Sequence, residues 1–221
     1  RLHPQVEAQL PTYSGCTDCG YTRRLQVEAQ LEHPVVEFAP IAHVSAAKPS
    51  IEPGPSSGLA TSLNLLRRER YAEALESLAG EPDSGSPDAQ LLRAVLLVQR
   101  GDPEAALETC HRLLDRDELN AGAHYVMALC REHFGELEAA REHDQTAGYL
   151  EPEFAMPHLH LGLMTRRQDD LPAARQALQR ALGLLMREDA TRILLFGGGF
   201  SREALIDLCQ AELDRCREET S

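Results

Sequence analysis

The chain has 221 residues, 43% of them hydrophobic, and a formal net charge of −13 at pH 7. That length allows one sizeable core or one domain with a tail, and the acidic balance argues against nucleic acid and anionic membranes as partners. No apolar run approaches the ~20 residues that a membrane span requires, and no secretory signal opens the chain. The six cysteines lack the spacing of a disulfide scaffold, which favours a reducing, cytoplasmic location.

The N-terminal stretch 1–56 holds seven of the thirteen prolines. Proline lacks a backbone donor and breaks helices, and "AAKPSIEPGPSSG" at 46–58 has the composition of a linker. We therefore expect a largely irregular, poorly ordered segment. Cys16 and Cys19 form a CxxC pair, which could chelate zinc or act as a redox pair. Because no second CxxC and no thioredoxin-like context follow, chance spacing is the favoured interpretation and no metal site is predicted.

Residues 57–188 have a different pattern, in which amphipathic helical segments follow one another without the alternation typical of strands. A period of 34 residues divides most of this region into windows at 87–120, 121–154 and 155–188, and an earlier, altered unit is expected at 57–80. Small or turn residues recur at three positions of each window, namely Ala94, Ala128 and Gly162, then Gly101, Gly135 and Asp169, then Ala106, Ala140 and Ala174.

These recurrences predict pairs of antiparallel helices. Small side chains let two helices approach closely, and Gly or Asp at a turn tolerates the left-handed conformation that ends a helix. Asp102 followed by Pro103 is typical of a helix start. The pattern resembles the tetratricopeptide repeat (TPR), a helix–turn–helix of 34 residues. We therefore predict an all-α superhelix of about four repeats, completed within 189–221 by a Gly-rich junction and a capping helix.

The junction contains "ILLFGGGFSREALI" at 193–206, an apolar run followed by three glycines and a helical stretch. This order resembles the phosphate-binding turn of dinucleotide folds. Arg202 stands at the third glycine position, however, and no second strand follows, so we predict no cofactor site. The glycines are expected to form a flexible turn, with Ser201 as the N-cap of the final helix.

Histidines and carboxylates are plentiful, but they show no catalytic arrangement. His124 and His158 share a repeat position that packing residues usually occupy, and His158 and His160 point to different helix faces. The carboxylates of 135–144 have the spacing of a solvated helix face. No Ser/His/Asp set, Walker loop or pair of acids has supporting context, so no catalytic residue is predicted.

The first helix of each stacked repeat is expected to line a concave groove that suits an extended peptide or an amphipathic helix. The repeat positions expected to face this groove are Leu91, Val95, Gln99, Tyr125, Leu129, Glu132, His133, Leu159, Leu163, Arg166 and Arg167. The leucines could equally pack against neighbouring helices, and the arginines could belong to a solvated helix face. Arg166 and Arg167 are favoured for partner contact, since Arg is enriched at binding hot spots.

The stretches "HYVMALCREHFGELEAAREHDQTAGYLEPEFAMPHLHLGLMTRR" and "REDATRILLFGGGFSREALIDLCQAEL" resemble the C-terminal TPR region of CheR-type chemoreceptor methyltransferases. In that family, a separate N-terminal domain binds S-adenosylmethionine and methylates receptor glutamates. The resemblance implies a bacterial, cytoplasmic protein-interaction module that docks or regulates a chemosensory methyltransferase assembly. Because no catalytic domain with its cofactor loop is found in this sequence, two alternatives stay open. They are the non-catalytic tail of a protein-glutamate O-methyltransferase and an unrelated TPR adaptor.

Overall fold

The computed structural model describes residues 58–79 and 85–218, and these residues form ten α-helices and no strand. Eight helices form four consecutive hairpins, which are α1 (Gly58–Leu66) with α2 (Tyr71–Ala79), α3 (Pro87–Arg100) with α4 (Pro103–Leu114), α5 (Ala121–His133) with α6 (Leu137–Leu150), and α7 (Ala155–Arg167) with α8 (Leu171–Leu185). Helices α9 (Ala190–Phe196) and α10 (Arg202–Glu218) follow. The predicted all-α solenoid of about four repeats is confirmed, whereas the N-terminal segment 1–56 with its CxxC pair lies outside the described residues.

The turns of the hairpins depend on left-handed backbone. Gly101 has a φ of 82°, Gly135 of 76° and Asp169 of 61°, as the recurring Gly/Gly/Asp position predicts. Glu69 has a φ of 56° in the corresponding turn of the first hairpin, so the altered first unit keeps the same turn geometry with a less suitable residue.

Several helix starts are fixed by side-chain caps. The side chains of Asp102, Asn120 and Asp170 each accept a hydrogen bond from the backbone N–H three residues later, at 3.2, 2.9 and 3.2 Å. The hydroxyl of Ser201 accepts from the Ala204 N–H at 3.2 Å, which confirms Ser201 as the N-cap of α10. None of the helices in the part of the chain described is long and apolar enough to cross a bilayer.

Small residues set the spacing between paired helices. The alanines at the small positions of both helices are fully buried, and they are Ala94, Ala106, Ala128, Ala140 and Ala174. Gly162 replaces alanine in α7, where an added Cβ would lie only 2.6 Å from Cγ of Leu178 in α8. Because the Leu178 side chain occupies this space, position 162 has room for glycine but not for alanine.

The glycines form the expected turn before α10, and the segment between α8 and this turn also contains a short helix, α9. Asp189 starts α9 by accepting a hydrogen bond from the Thr191 N–H at 2.7 Å, and the apolar run 193–196 is helical rather than extended. The strand-then-glycine order of a dinucleotide fold is therefore not present here. Helix α9 contacts α3 across the repeats, while α10 packs along α8 and also contacts α7. Helix α10 thus covers the last repeat, as a capping helix does.

Candidate protein-binding groove

The first helices α3, α5 and α7 carry the residues that were predicted to line a groove. Val95, Tyr125 and Leu159 are only 3%, 1% and 3% exposed, and they belong to the continuous hydrophobic core. Leu129 and Leu163 are half-buried, so each packs against the core and keeps some surface accessible. The predicted apolar floor of the groove thus consists mainly of core residues, with Leu129 and Leu163 partly accessible.

The remaining predicted residues lie toward the turn end of the same helices. His133 and Arg167 are exposed, whereas Gln99, Glu132 and Arg166 are half-buried. The side chains of Arg167 and Glu132 form an ion pair that joins α7 to α5. Whether this charged rim contacts a partner stays a prediction.

Helix α9 lies against the opposite end of the concave surface. The ring of Phe196 is 5.7 Å from that of Tyr125 and 5.0 Å from that of Phe154, centroid to centroid. A Cβ built at Gly122 would lie 3.0 Å from Cζ of Phe196 and 2.8 Å from Cδ2 of Leu91, so both side chains rest directly on this glycine. Repeat positions alone could not predict that Phe196 of the same chain packs against Gly122 and Tyr125.

The Arg192 side chain of α9 also contacts Phe154. The Arg192 guanidinium lies 4.3 Å above the centroid of the Phe154 ring, a cation–π arrangement. Arg192 also pairs with Glu151 and lies 3.6 Å from a carboxylate oxygen of Glu188. Burial lowers the pKa of Arg192. The polar side of α9 is thus held by two carboxylates while its apolar side faces the aromatic rings.

Glu188 fixes the start of the segment that carries α9. Its carboxylate accepts hydrogen bonds from the backbone N–H groups of Ala155 at 2.7 Å and Asp189 at 3.2 Å. Burial raises the pKa of Glu188, and these two N–H donors act in the opposite direction. One side chain thereby joins the first turn of α7 to the residue that caps α9.

A buried ionic cluster connects the second and third full repeats. Nδ1 of His160 is 2.6 Å from Oδ2 of Asp144, and its Nε2 is 2.8 Å from Oε2 of Glu132. Each ring nitrogen of His160 thus lies within hydrogen-bond distance of one carboxylate oxygen. The prediction that the carboxylates of 135–144 are solvated is wrong for Asp144, which is 0% exposed because α7 places His160 over it.

A second ionic cluster anchors the capping helix. Arg166 pairs with Glu212 of α10, which is 1% exposed and also accepts from Arg215 at 2.6 Å. Arg166 therefore contributes to the fold as well as to the predicted rim. The sequence pattern gave no sign that Glu212 has a partner in α7.

His124, His143 and His158 are half-buried, whereas His111 and His133 are exposed. His124 and His143 face each other with 3.0 Å between their Nδ1 atoms, and the Nε–H of Arg180 donates to Nε2 of His158 at 3.1 Å. Burial is the main cause that lowers the pKa of His143 to about 4, and the nearby His124, Arg131 and His111 lower it further. Among the described residues, no three His, Cys, Asp or Glu side chains are arranged to hold a metal ion.

Comparison with known proteins supports the repeat assignment. The tetratricopeptide repeat family model matches residues 59–117 and 91–148. The probable biofilm formation methyltransferase WspC of Pseudomonas putida KT2440 is 32% identical over 85 residues, which cover 38% of this chain and 20% of that protein. The match thus spans one fifth of the relative's length. This chain therefore carries tetratricopeptide repeats, as its 34-residue period predicts.

Solved structures of MamA proteins are also similar to this chain. MamA 41-end from Desulfovibrio magneticus RS-1 is 20% identical with a TM-score of 0.49, over 73% of this chain and 92% of that one. A MamA RS-1 double mutant is 22% identical with a TM-score of 0.49, over 60% of this chain and 76% of that one.

Proposed function

We propose that this chain is a protein-interaction module of a bacterial chemosensory system, in which it docks or regulates the methyltransferase assembly that modifies chemoreceptors. The observation that carries the proposal is the 32% identity to part of WspC, a protein named as a methyltransferase, in a chain built of tetratricopeptide repeats. Such a module acts in the cytoplasm, where chemoreceptor glutamates are methylated.

The accessible part of the groove suits a helical or extended protein segment. Leu129 and Leu163 offer half-exposed apolar surface one repeat apart, and the Glu132–Arg167 pair borders them at the turn end. An amphipathic helix could bury its apolar side against the leucines and place polar groups at this rim. In this proposal, the base of the groove is formed by the side chains of Leu91, Val95 and Leu159.

The experiment measures capture of purified chemosensory proteins by the immobilised full chain. The probes are the methyltransferase catalytic domain and the signalling domain of a chemoreceptor from the same organism. We expect one of them to bind, and the L129E/L163E variant to lower its affinity by at least about tenfold, since two charges would replace apolar contacts. If the wild-type chain captures neither probe, the proposal is wrong.

Leu119 provides a matched control, because it is 71% exposed and lies in the loop between α4 and α5, outside the predicted groove. L119E adds one negative charge at an exposed site and is expected to leave capture unchanged. Equal capture by wild type and L129E/L163E would place the binding surface elsewhere. The R166A/R167A variant is a poorer probe of binding, because Arg166 also neutralises the buried Glu212.

A second candidate is the non-catalytic tail of a protein-glutamate methyltransferase. It is favoured by the name of the relative, of which this match covers 20%. The sequence of the gene upstream of Arg1 decides between them. An open reading frame that encodes a Gly-rich methyltransferase loop would support the second candidate, and a start codon directly before Arg1 would exclude it.

A further inference from the structure

We propose that the surface formed by Leu91, Gly122, Tyr125 and Phe154 is a binding site for a short apolar helix, and that α9 is its built-in ligand. A partner helix with the same pattern as α9 then binds by displacing it. This inference rests on the proposed use of the concave face for partner binding, and it adds the chemistry of the partner and the competition that controls access.

The first argument is the position of α9. The capping helix α10 already packs on α8, so the last repeat has a cover that does not involve α9. Helix α9 instead leaves the end of the stack and contacts α3, which belongs to the first full repeat. The chain thereby inserts a helix where the groove of this repeat class receives a partner.

The second argument is the complementarity of the contact. Ile193 and Phe196 are both 7% exposed, and their spacing of three places them on one side of α9. Gly122 has no side chain, and the space above it is filled by Phe196 together with Leu91. Arg192 presents its charge to Glu151 at the border of the site. A partner helix of this kind carries an aliphatic and an aromatic residue three positions apart, preceded by a basic residue.

The third argument is that α9 is too short to be a stable helix by itself. It has seven residues, fewer than the ~12 that an isolated helix needs to be marginally stable in water. Gly198 and Gly199 follow it with φ values of 64° and 85°, so its connection to α10 is a turn that only glycine adopts easily. Helix α9 can therefore leave this surface while the hairpins keep the contacts between their own paired helices.

The experiment uses a fluorescent peptide with the sequence of residues 187–201, REDATRILLFGGGFS, and the full chain. A tethered helix competes at an effective concentration in the millimolar range, so wild-type protein should bind the peptide weakly. The F196A variant removes the main anchor of α9, and we expect it to bind the peptide at least about tenfold more tightly than wild type does.

Three controls make the result specific. L213A removes a buried side chain from α10, away from the groove, and should bind the peptide like wild type. The F196A/G122V variant places a side chain in the space that receives Phe196 and should lose the gained affinity. A peptide of scrambled sequence should not bind F196A. Equal peptide affinity of wild type and F196A, or the same gain in L213A, would overturn the proposal.

If F196A does not fold, hydrogen exchange of the wild-type chain provides the second measurement. Amides of α9 are expected to exchange at least about tenfold faster than those of α8 and α10. Equal protection of the three helices would show that α9 does not leave its site and would also overturn the proposal. Neither measurement uses a chemosensory protein. A negative result would therefore overturn this inference without deciding the outcome of the capture experiment.

Discussion

Each full repeat packs on the next at a joint, and the two joints lie between α4 and α5 and between α6 and α7. The same repeat positions are apolar at the first joint and ionic at the second. At the first joint, Cys110 of α4 and Val126 of α5 are both buried in the hydrophobic core. At the second joint, the residues 34 positions later are Asp144 of α6 and His160 of α7, which are equally buried and form a 2.6 Å hydrogen bond. The repeat period thus determines which positions meet, and the two residues at a meeting point can change from apolar to ionic if they change together.

Residues at paired positions also change together inside the hairpins. Ala94 and Cys110 occupy the repeat positions in the first full hairpin that Gly162 and Leu178 occupy in the third. A Cβ at Gly162 would meet Leu178, so a larger residue in α8 is matched by a smaller one in α7. The two residues of each pair are therefore expected to depend on each other. The variants described next copy a pair from one repeat into another.

The largest effect is expected at the ionic joint. H160V removes the hydrogen bond that Asp144 receives and leaves this carboxylate buried beside an apolar side chain, so we expect the free energy of unfolding to fall by about 3 kcal/mol. The double variant D144C/H160V copies the first joint and should recover more than half of this loss. Urea denaturation measures both. A double variant less stable than H160V alone would show that the joints are not interchangeable.

A smaller effect is expected inside the third hairpin. G162A forces a methyl group against Leu178 and should lower the free energy of unfolding by about 1–3 kcal/mol. In the L178C background, which copies the first hairpin, the same G162A change should cost less than about 0.5 kcal/mol, because cysteine leaves room for the methyl group. Urea denaturation of the four proteins gives the coupling energy, and additive losses would contradict the pairing of these positions.

The smallest effect is expected from acid at the His124–His143 pair. His160 lies between carboxylates, whereas burial, with His124 and Arg131 nearby, lowers the pKa of His143 to about 4. The unfolded chain has a histidine pKa of about 6.5, so it binds more protons than the folded chain between pH 6.5 and 4, and stability falls as the pH drops through this window.

The H143Q variant isolates this contribution. It should lose about 0.5–1 kcal/mol less than wild type between pH 7 and pH 5, a reduced value because His143 is only half-buried. Urea denaturation at the two pH values provides the comparison. The same pH dependence in both proteins would mean that the acid sensitivity has its origin in other groups.

Most of the fold could be predicted because its determinants are local and repeated. Glycine or aspartate at the turns and a small residue at the close contacts each have one physical cause, and each recurs at a spacing of 34 residues. Gly101, Gly135 and Asp169 adopt the left-handed conformation that this pattern predicts.

The site could be predicted only in part, because its decisive contacts join residues far apart in sequence. Phe196 covers Gly122, and Arg166 neutralises Glu212, but neither pair has a periodic signal. The charges of 135–144 also have the spacing of a solvated face, and only the position of α7 shows that Asp144 is buried. An unusually apolar segment after the last repeat, such as 193–196, is the signal that could have indicated a helix folded back onto the groove.

Helix α9 also affects how the stack comes apart. In an array whose hairpins touch only their neighbours, unfolding can start at either end and proceed one repeat at a time. The contact of α9 with α3 and α5 links the C-terminal part of the chain to the first full repeat. Loss of one end then removes the support of the other, so the three full repeats should melt in a single cooperative transition rather than in steps.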